Sequence, residues 1–132
     1  MKSVNRVTLV GHLGRDPEIK NTTSGKVVAR FSLATDFFSK PNGNGGYRRI
    51  TEWHDVTVWE KLAVLAGQKL HKGSKVYLEG RIETRSWDDK QTGQKRYAKD
   101  IIAHELIVLD VVSSNGNGSA EVGEQEIEEE FA

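Results

Sequence analysis

The chain has 132 residues, 36% of them hydrophobic, which suits one domain with a buried core and some residues to spare. It contains no cysteine, which excludes disulfides and cysteine-ligated metal centres and favours an intracellular compartment. All 19 lysines and arginines lie in residues 1–112, whereas six of the 19 acidic residues lie beyond them, so a body of net charge +6 precedes an acidic tail. This asymmetry predicts a polyanionic partner for the body. The start has no apolar run of the signal-peptide type, and a soluble protein is expected.

Alternating apolar and polar residues predict five β-strands, and a helical period predicts one short helix between the third and fourth strands. Gly11 is expected to end the first strand in a turn, and Gly73 to cap the helix at its C-terminus. The last strand is expected to contain a bulge near Ala103. The predicted elements are the strands Val4–Val10, Lys26–Thr35, Thr51–Trp59, Lys75–Trp87 and Tyr97–Val112, and a helix at Glu60–Lys72.

The third predicted strand has two faces of opposite character, because side chains two residues apart point the same way. Val56 and Val58 form a face of core composition, whereas Trp53 and Trp59 lie opposite, among hydroxyl and carboxylate groups. Those tryptophans would be solvated unless a flat, partly apolar group such as a nucleobase covered them. A tryptophan packed on a neighbouring strand or subunit explains the pattern equally well, and this strand alone does not decide.

The fourth predicted strand carries a second surface of this kind. Its inward set is Val76, Leu78, Gly80 and Ile82, whereas its outward set interleaves charged and aromatic residues: Lys75, Tyr77, Glu79, Arg81, Glu83, Arg85 and Trp87. The glycine-rich loop at residues 39–49 also has basic and aromatic residues at its ends. This composition suits a surface that binds a flexible polyanion.

Strands joined by hairpins, with one helix between the third and fourth, are typical of the all-β class and of one fold in particular. That fold is the OB-fold, a five-stranded Greek-key barrel. Residues 1–112 are predicted to form this domain. Residues 113–132 are predicted to be a flexible linker and disordered acidic tail, because Ser, Asn, Gly and Glu cannot support a packed core.

Seven stretches carry a resemblance to a known family: Val4–Gly11, Leu13–Glu18, Phe31–Thr35, Thr51–His54, Lys61–Ala63, Lys72–Gly80 and Arg85–Trp87. In these stretches, and nearly without interruption over residues 1–112, the sequence resembles the bacterial-type single-stranded DNA-binding protein (SSB) family. The resemblance implies a homotetramer of OB domains that wraps single-stranded DNA, without catalysis, cofactor or metal. It further implies protection of DNA in replication, recombination and repair, at the nucleoid in the cytoplasm.

Position by position, the resemblance assigns two kinds of nucleic-acid contact. The stacking aromatics are Trp53, Trp59 and Trp87, although many members have phenylalanine in place of Trp59; the backbone contacts are Arg6, Lys61, Lys72 and Arg85. Arg81 is added from its outward position alone. One further stacking tryptophan of the family is replaced here by Ser39, and Phe37 and Phe38 are the expected substitutes.

The tail is predicted to recruit replication and repair proteins. In the family, an acidic tail that ends in Pro-Phe docks partner enzymes, and the matching residues here are Glu128, Glu129, Glu130 and Phe131. This chain departs from that pattern, because it has no proline and Ala132 follows Phe131. Weaker docking, or a partner adapted to this ending, is therefore expected.

No catalytic or metal site is expected. The four histidines, His12, His54, His71 and His104, lack metal-ligand spacing, and no serine-nucleophile elbow, zinc-protease helix or nucleotide loop occurs. An RNA-binding or primosome-type OB module stays open as an alternative, because it would show the same barrel and aromatics. The outward tryptophans argue against a pure protein-interaction domain.

Overall fold

The computed structural model describes residues 2–40 and 46–109. Within these ranges the chain forms six strands and one helix. They are β1 Val7–Leu13, β2 Glu18–Asn21, β3 Val27–Ser39, β4 Arg48–Trp59, α1 Lys61–Lys69, β5 Lys75–Asp88 and β6 Lys95–Val108. The predicted domain boundary at residue 112 and the predicted tail lie outside the described residues. The helix in the described ranges is not long and apolar enough to cross a membrane.

The strands close into a barrel. Their order in the sheet is β1-β5-β6-β4-β3-β2, and β1 also pairs with β3, so β1, β5, β6, β4 and β3 form a closed ring while β2 flanks β3. The helix lies between β4 and β5, which are the third and fourth strands of the prediction. This architecture confirms the OB-fold.

The alternation in the sequence correctly predicted which side chains fill the barrel. Phe31 and Leu33 of β3 and Val56 and Val58 of β4 are all at most 5% exposed. Each such side chain contributes about 1.5–3 kcal/mol by leaving water. The helix covers the core with small residues, Ala63 and Ala66, which let it approach the sheet closely.

The prediction that Gly11 ends the first strand is wrong, because this glycine lies inside β1, which is shifted to Val7–Leu13. β1 passes from its partner β5 to its partner β3 at this point. A Cβ on Gly11 would lie 2.2 Å from the carbonyl oxygen of Ala34. The missing side chain therefore permits the close backbone approach that shuts the barrel.

Several element ends also differ from the prediction. β3 runs to Ser39, and β2 was not predicted, because its four residues are all exposed and have no apolar pattern. The helix ends at Lys69, so Gly73 lies in the following turn with a positive φ of 89° and is not its cap. Ile82, predicted to point inward, is 43% exposed. It lies past the bulge, where β5 no longer pairs with β1. After it, residues 83–88 of β5 and 95–100 of β6 pair only with each other and extend as a two-stranded arm.

The predicted bulge near Ala103 is confirmed. Glu79 pairs with Glu105 and the next residue, Gly80, pairs with Ala103, so His104 is the extra residue. A Cβ on Gly80 would lie 2.1 Å from the carbonyl oxygen of Ile102, which explains why glycine occupies the position opposite the bulge. The bulge lets the paired strands bend where they leave the barrel.

Candidate nucleic-acid interface

One face of the β3–β4 pair presents two tryptophans to solvent. Trp53 pairs with Ala34 and Trp59 with Val28, so both rings rise from the same face of the sheet. Trp53 is 60% exposed and Trp59 is 42% exposed. They stand six residues apart on one strand, about 20 Å at the usual rise per residue. Thr57, between them, is buried at the centre of the sheet, although the sequence placed it on the solvent face.

Trp53 lies over the backbone of a neighbouring turn. A Cβ added to Gly14 would lie 2.5 Å from Cζ3 and 2.7 Å from Cη2 of Trp53, so the indole ring occupies the space above this glycine. The Gly14 amide donates to the carbonyl oxygen of Ser32, which fixes the turn against β3. Gly14 thus supports one side of the ring while most of the side chain stays open to solvent.

Trp87 lies on the β5–β6 arm and is 44% exposed. It follows Arg85 at the two-residue spacing of side chains on one face of a strand. The guanidinium carbon of Arg85 lies 4.9 Å from the centre of the Trp87 ring, a cation–π contact. The predicted combination of a basic and an aromatic residue is therefore present on this arm.

A buried carboxylate joins the two surfaces. Asp100 of β6 accepts hydrogen bonds at Oδ2 from Arg85 Nε at 2.7 Å and from Arg30 Nη2 at 3.4 Å. Arg30 pairs with Thr57, so it lies on the tryptophan face of β3. Sequence reasoning missed both Arg30 and Asp100 as site residues. The outward position of Arg30 on its strand was the available signal, whereas nothing local indicated that Asp100 would meet two arginines.

A cleft of about 220 Å³ opens beside this cluster. Three arginines and three carboxylates contribute to its lining, so it carries both signs of charge. The charged lining residues are Arg15, Arg30, Arg85, Asp16, Glu18 and Asp55. Arg15 was also not predicted as a site residue.

The remaining predicted cations are exposed but scattered. Arg6 precedes β1, Lys61 is the first residue of α1, and Lys72 lies in the turn after α1, where its backbone amide donates to Asp16 Oδ1 at 2.7 Å. Arg81 lies on β5 and forms an exposed ion pair of 2.8 Å with Glu83. None of the hydrogen bonds and ion pairs in the described ranges gathers these four into one cluster with Arg30 and Arg85.

The structure distinguishes the two phenylalanines. Both lie at the end of β3, where Phe37 pairs with Ile50 and Phe38 with Arg49. The register is unbroken from Val28, so Phe38 shares the face of Arg30 and the tryptophans, and Phe37 points the other way. Both are more than half exposed. Only Phe38 is therefore placed to extend the tryptophan surface.

Among the residues that the structure describes, no group of three or more His, Asp or Glu side chains is arranged to hold a metal ion. His54, which lies on the opposite face to Trp53, shares a 2.9 Å hydrogen bond between Nε2 and the hydroxyl of Thr35. That bond accounts for the imidazole as a structural group.

Comparison with known proteins decides the family. Residues 4–109 match the model of the "Single-strand binding protein family". The chain belongs to the single-strand binding protein family. Over 118 residues it is 45% identical to "Single-stranded DNA-binding protein 1" of Chlorobaculum tepidum, which covers 89% of this chain and 72% of that protein.

A solved structure agrees with the family assignment. The fold superposes on a chain from the "Plasmodium falciparum SSB complex with ssDNA" with a TM-score of 0.74 and 35% sequence identity. The match covers 83% of this chain and 98% of that one. Members of the family are binding proteins without enzymatic activity, so the prediction that this chain is not an enzyme is confirmed.

Proposed function

We propose that this protein binds single-stranded DNA without sequence preference and protects it during replication, recombination and repair. The observation that carries the proposal is the exposure of Trp53, Trp59 and Trp87 on surfaces that also carry the guanidinium groups of Arg30 and Arg85. The family and the relative solved with single-stranded DNA support the same function. Such a protein would act at the nucleoid, in the cytoplasm.

The two kinds of side chain would contribute different parts of the affinity. Every nucleobase has a π-face, so stacking on tryptophan, at about 1–3 kcal/mol per base, does not depend on sequence. Cations beside the rings would bind phosphates and release counterions, so that affinity falls as salt rises. Duplex DNA hides its base faces, and selectivity for single strands follows from stacking alone.

The proposal is tested by titrating intrinsic tryptophan fluorescence with single-stranded DNA, duplex DNA and RNA of equal length. Single-stranded DNA should quench strongly, duplex weakly at the same phosphate concentration, and RNA less than DNA. Equal quenching by duplex would contradict stacking, and tighter binding of RNA would favour the alternative of an RNA-binding module.

Two variants separate stacking from charge. Trp53→Ala should cost roughly 1–3 kcal/mol of binding free energy at its site. Lys61→Ala should instead lower the slope of affinity against salt by about one unit, since one phosphate contact is lost. Lys69→Ala, at the other end of the same helix, is the control. An equal fall of the slope of affinity against salt in both lysine variants would contradict the phosphate contact assigned to Lys61.

We further propose that the protein forms a homotetramer. Within the described residues, Val7–Val10 of β1 pair with β5 only, so one edge of this segment is open to a strand from another chain. Next to this edge, Val10 pairs with Tyr77 and Tyr77 with Ile107, which gives a row of apolar character. Sedimentation equilibrium at micromolar concentration tests the proposal, and a monomer would remove it while leaving the fold unchanged.

The third part of the proposal concerns the tail, whose residues lie outside those the structure describes. Ile127 and Phe131 stand among six glutamates, so a partner with an apolar pocket ringed by basic residues fits the sequence. Deletion of residues 121–132 should abolish capture of replication and repair proteins and tighten DNA binding modestly at low salt, because a tethered polyanion competes with DNA. Retention of the same partners by the truncated protein would contradict the docking role.

A further inference from the structure

The buried carboxylate of Asp100 is out of place on a surface that binds a polyanion. Its side chain is only 8% exposed, although it lies on β6 opposite the exposed Glu83 of β5. Its Oδ1 is buried and accepts no hydrogen bond from the part of the chain that the structure describes. A buried oxygen left unpaired costs stability, and a negative charge beside the tryptophan surface repels phosphate. Its ion pairs with Arg30 and Arg85 must offset both costs.

The neighbours of Asp100 indicate what it does. Arg30 from β3 and Arg85 from β5 both donate to its Oδ2, at 3.4 and 2.7 Å, and their side chains are 44% and 40% exposed. A guanidinium has five N–H donors, so a single bond to Asp100 leaves others for a ligand. Both arginines also line the 220 Å³ cleft. Asp100 therefore holds two partly exposed cations, from different strands, in one place.

Charge alone would not make this cleft attractive to DNA, because three carboxylates line it beside three arginines. Two of these carboxylates already have partners: Asp16 accepts the Lys72 amide, and Glu18 forms a 3.1 Å ion pair with Lys20. Affinity for a phosphate in such a place depends on how well the donors are oriented. Long side chains that are already ordered lose less conformational entropy when they bind.

We propose that Asp100 is a positioning residue for single-stranded DNA binding. It orders Arg30 and Arg85 so that their free N–H groups bind one backbone phosphate between the β3–β4 tryptophans and Trp87. Through the cation–π contact of Arg85, at 4.9 Å, it also sets the place of the Trp87 ring. This inference rests on the proposed function and adds to it a phosphate site that contains Arg30.

The test compares two variants that change the net charge of the same surface by the same amount. Asp100→Asn and Glu83→Gln each remove one negative charge, and the two residues are direct cross-strand partners. Electrostatics alone predicts that both variants bind oligothymidylate more tightly. If Asp100 positions the two arginines, Asp100→Asn should bind about tenfold more weakly, because one or two arginine side chains are no longer ordered before binding. Glu83→Gln should bind equally or more tightly. Affinity is measured by fluorescence titration at several salt concentrations.

The slope of affinity against salt gives a second readout. Loss of the phosphate site should lower that slope by about one unit in Asp100→Asn. Glu83→Gln frees Arg81 from its ion pair, so it should keep or raise the slope. Asp100→Asn binding as tightly as Glu83→Gln, with the same slope, would overturn the proposal. Failure of the wild type to bind would instead overturn the proposed function, so the two outcomes are distinct.

A third variant, Arg30→Gln, tests the phosphate site even if Asp100→Asn is poorly folded, and it completes a double-mutant cycle if Asp100→Asn folds. Arg30→Gln leaves Asp100 paired with Arg85 and is not required by the barrel core, so it should fold, which circular dichroism checks. It should weaken binding several-fold in the wild type and have little further effect in Asp100→Asn, since the two residues act together. If Arg30→Gln leaves affinity for oligothymidylate unchanged, the proposed phosphate site is contradicted, whatever affinity Asp100→Asn shows.

Discussion

The packing of Trp53 over Gly14 gives a sharp test of the stacking surface. In Gly14→Ala the new Cβ would meet the indole ring at 2.5 Å, whereas ordinary contacts begin near 3.4 Å. The ring must therefore move by about 1 Å or rotate away from the turn. The glycines with positive φ in the described ranges are Gly25, Gly73 and Gly93, so alanine at position 14 adds no backbone strain there. The substitution acts through the ring alone.

The magnitude follows from the stacking energy. A base stacked on tryptophan contributes about 1–3 kcal/mol, so a displaced ring that keeps half of its overlap should cost roughly 0.5–1.5 kcal/mol, or about two- to twelvefold in affinity. Stability should change little, because Trp53 is 60% exposed and free to move outward. The assay is fluorescence titration with oligothymidylate, accompanied by thermal melting.

Two further variants complete the experiment. In a Trp53→Ala background, Gly14→Ala should have no additional effect on affinity. Gly67→Ala is the matched control, because its Cβ would touch the Ile19 side chain at an ordinary 3.4 Å; it should stabilise α1 by about 0.5–1 kcal/mol and leave DNA binding unchanged. Wild-type affinity and quenching in Gly14→Ala would refute the role given to the Trp53 ring.

Three other predictions concern single side chains. Phe38→Ala should weaken DNA binding by up to the stacking energy of about 1–3 kcal/mol while Phe37→Ala should not, and equal losses in a titration would show that strand parity does not select between them. Glu60→Gly should raise the free energy of unfolding by about 1 kcal/mol in denaturant melts, because a φ of 56° and a ψ of −118° strain a non-glycine residue. Glu60→Ala is the control and should not raise the free energy of unfolding. Hydrogen bonds from Thr51 first and Arg49 second lower the pKa of Asp36 below its usual 3.8. The stability that these bonds contribute is therefore present above pH 3.8 and is lost as the pH falls through the lowered pKa. Thr51→Val should raise the pKa of Asp36 in a carboxyl NMR titration, and an unchanged pKa would contradict the assignment.

Local alternation was enough to predict the core strands and the outward tryptophans. The period of two in β4 separates Val56 and Val58 from Trp53 and Trp59 without any knowledge of the fold, because neighbouring side chains must point to opposite faces. β2 was missed for the complementary reason: its residues are all exposed, and only its pairing with β3 makes it a strand.

Features that depend on residues far apart in the chain were not predicted. Gly11 carries a turn signal locally, and its role appears only when Ala34 approaches its backbone. Arg30 and Asp100 are 70 residues apart, and Arg85 and Asp100 are 15 apart. No periodicity links positions at such separations. The closed barrel brings them together, so only the three-dimensional structure reveals this part of the site.

The barrel is closed at two short seams, and this has a consequence for its motions. β1 joins β3 through two residue pairs and β4 joins β6 through two, whereas β3 and β4 share twelve. The molecule is thus divided into one half containing β2, β3 and β4 and another containing β1, β5 and β6. Opening at the seams should require less free energy than global unfolding. It should be visible as fast hydrogen exchange of those amides among Val56, Thr57, Ile101 and Ile102 that donate across the β4–β6 pairing. A ligand bound by both Arg30 of one half and Arg85 of the other would connect the two halves, oppose their separation and slow that exchange.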